Sequence, residues 1–175
     1  MIGHPGKKLI FMGCEFGQFI EWREYEELDW KLIDNFDMHK KTHTFFKEIN
    51  KFYKENKALW ELDYEREGFR WIDANNVNQS IFIFIRKSKN IEDTLIFICN
   101  FTPVVYHDFR IGVPYNGEYL EVFNSDSNLF GGSNQLNLEI IESEEFKYHN
   151  ESYSMLIKIP PMAASIFKIS KFKNK

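Results

Sequence analysis

Residues 80–86 (SIFIFIR) and 95–101 (LIFICNF) decide the fold. Each is a short run of β-branched and aromatic residues without glycine or proline. Lys89-Asn90 separates the two, and Asn75-Asn76 stands before the first. Runs of this length between polar turn signals read as buried strands rather than core helices. The same grammar extends on both sides. Residues 69–73, 119–123, 154–159 and 164–169 are further runs of this kind. Val105, His107, Phe109, Ile111 and Val113 alternate with polar or small residues, the pattern of a half-buried strand. Asn116-Gly117, Gly131-Gly132 and Pro160-Pro161 supply the remaining turns. Strands at this spacing, with no long helix between them, predict an antiparallel β-sandwich. The acidic cluster Glu139, Glu142, Glu144 and Glu145 reads as a solvated loop or hairpin.

Upstream the period changes. Residues 8–13 form an apolar run that stops at a glycine, as a buried strand of a parallel sheet does. Residues 14–35 mix aromatics and acids without a period and read as a long loop, with a helical turn near 30–33. Met38, Thr42, Phe45, Phe46, Ile49, Phe52 and Tyr53 then fall on one helical face, with lysines on the other. Asp37 is the expected N-cap, and Asn56 the expected left-handed end. Strand, loop and helix make one repeat of a β/α architecture, and a lone parallel strand needs neighbours that this chain does not contain. The chain is therefore expected to be mainly β and incomplete as an enzyme. Residues 1–60 would be the end of an α/β domain and residues 61–175 an all-β domain, the boundary falling between Leu59 and Phe69.

Composition narrows the function classes. Hydrophobic residues make up 43% and aromatics 17% of the 175 residues, enough to build a core. With 22 Lys+Arg against 26 Asp+Glu the net charge is -4, which argues against nucleic acid or an anionic membrane as partner. No apolar stretch is long enough to span a bilayer, and no signal peptide is expected. Asn78, Asn100 and Asn150 begin N-x-S/T triplets that would matter only after secretion. Cys14 and Cys99 lack CxxC partners and read as buried free thiols, so the expected location is cytoplasmic.

Most catalytic signatures are missing. Gly3-His4-Pro5-Gly6-Lys7 lacks the spacing of a phosphate loop, and Gly131-Gly132 precedes no helix. His39 and His43 lie one helical turn apart but without an HExxH pattern. They read as solvent-facing or capping side chains, so no metal and no cofactor are expected. There is no GxSxG elbow. What remains is the loop after the first apolar run, where Glu15, Gln18, Glu21 and Trp22 gather at the strand's C-terminal end. Active sites of β/α proteins form on that edge. Aromatic faces stack on sugar rings, and carboxylates and amides bond hydroxyls. Loop packing with the acids facing water is the plainer reading of the same residues. Glycoside chemistry needs an acid and a nucleophile a fixed distance apart, and no such pair is legible.

The stretch at residues 3–18 (GHPGKKLIFMGCEFGQ), Glu21-Trp22 and Leu28-Asp29-Trp30 resembles the last barrel strand and loop of bacterial 1,4-α-glucan (glycogen) branching enzymes of the α-amylase superfamily. The resemblance continues in order through residues 58–86, 99–114, 123–134 and 159–167, nearly the whole chain. Cys14 departs from it, standing where the family pattern has asparagine. The resemblance implies the eighth strand and last helix of a truncated TIM-type (β/α)8 barrel, followed by the superfamily's C-terminal β-sandwich. It implies transfer of an α-1,4-glucan segment to a 6-hydroxyl, forming an α-1,6 branch by a retaining mechanism. In the family the three catalytic carboxylates lie on earlier strands, so no residue here inherits a catalytic role and the chain alone is expected to be inactive. Glu15, Phe16, Gln18, Glu21 and Trp22 inherit an expectation of lining the glucan cleft. The implied partners are α-glucan, the remaining barrel in cis or in trans, and a second copy packed on the exposed face of the barrel remnant. Two alternatives are a non-catalytic glucan-binding or scaffold module, though no clear row of exposed aromatics is legible on the sandwich, and a piece of a related hydrolase such as a trehalohydrolase.

Overall fold

The computed structural model describes residues 1–21 and 23–173. The apolar runs become strands β1 (Phe69–Asn76), β2 (Ile81–Arg86), β3 (Leu95–Asn100), β4 (Tyr106–Val113), β5 (Gly117–Asn124), β6 (Ile141–Glu142), β7 (Tyr153–Ile159) and β8 (Ala164–Phe172). Six of them form one antiparallel sheet in the order β1-β2-β3-β8-β5-β6, and β4 pairs with β7 in a second sheet. The last strand, β8, lies inside the larger sheet, hydrogen-bonded to β3 on one side and β5 on the other.

The period of two along each strand sorts its side chains between two cores. Ile81, Ile83 and Ile85 of β2 join Ile111, Met155 and Ile157 of the smaller sheet in the main core. The intervening Phe84 points the other way. With Leu95, Phe97 and Ile166 it forms a second cluster closed by Ala58 and Leu59, against which Phe52 and Tyr53 pack. The Phe84 and Phe97 rings stack with centroids 4.9 Å apart. Both faces of β2 and β3 are thus covered along much of their length, which is why these strands read as unbroken apolar runs. Each such side chain, once buried, contributes about 1.5–3 kcal/mol.

The outer layer is helical. A short helix, α1 (Lys31–Asn35), precedes α2 (Asp37–Glu55), and Leu32 and Ile49 are their buried residues. Both ends of α2 differ from expectation. Phe36, not Asp37, holds the N-cap position in an extended conformation and makes no side-chain cap. Asp37 is instead the first helical residue, where its charge suits the positive end of the helix, and it pairs with Lys41 at 2.8 Å. Asn56 is extended rather than left-handed. Its backbone N–H and its Nδ2 both donate to the Phe52 carbonyl (3.1 and 2.8 Å), so the group a left-handed turn serves is already bonded.

The expected first strand is not formed. Residues 8–11 carry no ladder, and Leu9 is 76% exposed. A strand exists through its neighbours, and the eight strands above pair among themselves, so none reaches this run.

Two polar knots fasten the layers. Arg86, at the end of β2, is completely buried. Its guanidinium donates to the carbonyls of Gly3 (2.9 Å), Leu59 (3.2 Å) and Gly68 (3.3 Å) and pairs with Asp63 at 2.6 Å. The second knot holds the loop after β5. Asp126 accepts from Ser133 N (2.8 Å), Ser133 Oγ (2.9 Å) and Gln135 N (2.7 Å). This loop carries Phe130 onto Phe123 and against Phe45 of α2, at 5.6 and 5.3 Å between ring centroids.

His149 introduces a pH dependence. Its Nδ1 accepts from Gly112 N–H at 3.4 Å, and its Nε2 lies 3.5 Å from Asp73. Burial lowers its pKa, against the opposing pull of Asp73 and then Glu151. A histidine with a depressed folded pKa binds fewer protons folded than unfolded. It therefore takes stability away as pH falls through and below the ordinary histidine range. Urea melts at neutral and mildly acid pH should show His149→Gln losing less stability on acidification than the parent.

Candidate functional site

Backbone geometry shapes the loop at residues 11–21. Gly13 (φ 85) and Gly17 (φ 67) adopt left-handed conformations that a side chain disfavours. Their turns are closed by Cys14 N–H to Phe11 O (3.0 Å), Gly17 N–H to Cys14 O (3.2 Å) and Gln18 N–H to Gly13 O (3.1 Å). The Gln18 side chain packs against Gly13, where a Cβ would collide with it.

Phe16 anchors this turn. It is fully buried, its ring 5.1 Å from that of Trp30. Its carbonyl accepts a hydrogen bond from Nδ1 of His39 on α2, at 2.8 Å. The His39 ring also meets Phe19 edge-on at 5.0 Å. The loop thus rides on the first turns of the helix. Around it lies an open concavity of about 610 Å³ lined by residues 11–14 and 17–21. Phe19 is 81% exposed on this rim, Glu21 is exposed, and Glu15 and Gln18 are half-buried. Gln18 Nε2 donates to the Ile20 carbonyl at 3.0 Å.

Of the residues expected to line a cleft, Gln18 and Glu21 line the concavity and Glu15 sits beside it. Phe16 serves as the anchor, its ring inaccessible to a ligand, and Trp22 lies outside the described residues. Cys14 is exposed, not buried, because the turn that sinks Phe16 turns the preceding residues outward. Sequence reasoning missed two residues. Phe19 presents the aromatic face expected of Phe16. His39, taken for a solvent-facing or capping residue, joins helix to loop; its place three residues after Phe36 was the available signal. Among the described residues, no group of three or more His, Cys, Asp or Glu could hold a metal. The rim can bind hydroxyls and stack on a ring, but it offers no acid–nucleophile pair. Replacing His39 with alanine should cost about 1 kcal/mol and accelerate limited proteolysis within residues 11–21.

An antiparallel sandwich with a loop-and-helix unit packed on its outer face has the build of an accessory domain behind a catalytic one. Residues 71–170 match the model of the alpha amylase C-terminal all-beta domain, and the chain belongs to that family. It is 65% identical over 168 residues to the 1,4-alpha-glucan branching enzyme GlgB 1 of Clostridium perfringens, a match covering 96% of this chain and 25% of that enzyme. A second Clostridium perfringens branching enzyme is 57% identical over 97% of this chain and 26% of its own length. That of Francisella philomiragia is 56% identical over 98% of this chain and 27% of its own. The chain therefore spans about a quarter of the length of these curated relatives.

Proposed function

We propose that this chain is the C-terminal quarter of a 1,4-α-glucan branching enzyme, which moves an α-1,4-glucan segment onto a 6-hydroxyl to make an α-1,6 branch. The observation that carries the reading is 65% identity sustained over 96% of the chain, loop and helix included. Residues 1–60 belong to the edge of the catalytic domain, and residues 61–175 form the sandwich that braces it. The catalytic carboxylates lie outside this chain, in a barrel joined in cis or in trans. Glu15, Gln18, Phe19, Glu21 and Trp22 contribute to the rim of the glucan cleft, with Phe16 holding that rim from behind. The cytoplasm is its compartment. In support, both cysteines are unpaired, and the buried Asn100 spends its Nδ2 on the Val104 and Pro160 carbonyls, leaving nothing for a glycan. No described helix is long and apolar enough to cross a membrane.

The test is a graft. This chain replaces the matching quarter of the Clostridium perfringens GlgB 1, and branching of amylose is followed through loss of iodine colour. The graft should branch and the chain alone should not. A folded graft without activity, or robust activity from the chain alone, overturns the reading.

A further inference from the structure

The outward face of the six-stranded sheet is only partly covered. α2 covers the part over β5 and β8, where Phe52 and Phe45 meet Phe123. Beside it the same face opens into a groove of about 530 Å³. The floor is an aromatic row across adjoining strands: Trp71 of β1, Phe82 of β2 and Phe101 just beyond β3. Their rings follow at 6.2 and 5.7 Å. They remain 44%, 37% and 60% exposed. Phe45 and Phe46 of α2 wall one side, and Cys99 lines the groove as well.

The chemistry of the groove limits its occupant. β2 is paired on both edges, to β1 and β3, and β3 is paired to β2 and β8. The backbone of the floor thus has no bonds to offer, and the lining is nearly all apolar. An extended peptide, a loop or a sugar would bring polar groups that find no partner there. A helix bonds its own backbone and presents only side chains. α2 already occupies this layer, and a neighbouring helix axis belongs about 8–10 Å away, over the aromatic row. Surface area agrees. A compact 21.0 kDa monomer exposes roughly 9,000 Å², whereas this chain exposes 10714 Å². The excess approaches a standard interface of about 1,600 Å².

We propose that this groove seats a second amphipathic α-helix, packed beside α2 on the outer face of the sheet. For the origin of that helix, the part of the longer polypeptide that this chain does not span, the inference rests on the branching-enzyme reading. For its chemistry it does not.

Cys99 is the reporter. In the Cys14→Ser chain, its labelling by a maleimide is timed with and without a leucine/lysine/glutamate peptide of about 18 residues, whose leucines recur at helical spacing. The amphipathic peptide should slow labelling at least about tenfold, and Phe101→Glu or Phe82→Ser should abolish the protection while circular dichroism stays unchanged. Equal protection by a peptide of the same composition with scrambled leucines overturns the proposal, as does no protection by either peptide. Protection by maltoheptaose overturns it in favour of sugar. Protection that rises with chain concentration alone, alongside a dimer in light scattering that Phe101→Glu dissolves, overturns it in favour of a second copy. Activity of the graft decides the branching-enzyme reading separately, because peptide and thiol chemistry here are independent of catalysis.

Discussion

Replacing Arg86 with methionine should lower the unfolding free energy by about 3–5 kcal/mol, the range for breaking a buried ion pair from one side. The side chain is fully buried and its partner Asp63 only 7% exposed, so water cannot replace the lost bonds. Methionine would leave a buried carboxylate and the carbonyls of Gly3, Leu59 and Gly68 short of their donor. Against a typical stability of about 5–15 kcal/mol, such a loss brings the chain close to unfolding. Urea denaturation measures it. Two companions identify the cause. Arg86→Lys should recover only part of the loss, because a point charge cannot reach donors' partners spread around a planar fork. Arg86→Met combined with Asp63→Leu should recover more, because the orphaned charge is gone. A loss under about 1 kcal/mol for Arg86→Met would show that the pair behaves as an exposed one.

The second large effect is expected at Asp126. Its carboxylate collects two backbone N–H groups and a hydroxyl from a loop that supports α2. Hydrogen bonds to a charged group contribute about 1.5–3 kcal/mol each and do not add fully, so Asp126→Ala should cost about 3 kcal/mol. Hydrogen exchange should locate the damage, with the amides of Ser133 and Gln135 losing protection while those of β2 and β3 keep theirs beyond the global loss. Asp126→Asn retains one acceptor oxygen and should fall between. Uniform loss across the sheet would instead place Asp126 in the general framework rather than in the loop.

Much of this architecture was legible from residue order. The helical face from Met38 to Tyr53 is α2, and the runs around residues 80–101 are adjacent central strands. What stayed hidden depends on contacts between distant residues. In SIFIFIR both faces are apolar, so nothing local says that Phe82 remains half-open while Phe84 is covered. The exposed row Trp71, Phe82 and Phe101 is consequently invisible until strand register aligns it. Arg86 reads as a polar residue closing a strand, yet burial is imposed on it by Gly3, Leu59 and Asp63, far away in the chain. β6 is two residues long, too short for any period. In the loop, the order of aromatics pointed to Phe16 as the stacking face, but left-handed glycines on either side swing it inward and leave Phe19 on the rim.

The interior position of β8 has a consequence for biosynthesis. The ribosome delivers a chain from its N-terminus, and β1, β2 and β3 emerge long before the residues that must lie against β3. Until residues 164–172 are released, one half of the sheet ends at an open β3 edge and the other at an open β5 edge. Pairings this distant in sequence form slowly, and unpaired strand edges invite wrong partners meanwhile. A premature stop a dozen codons early would therefore do more than shorten a tail: it would remove the strand that joins the two halves of the sheet.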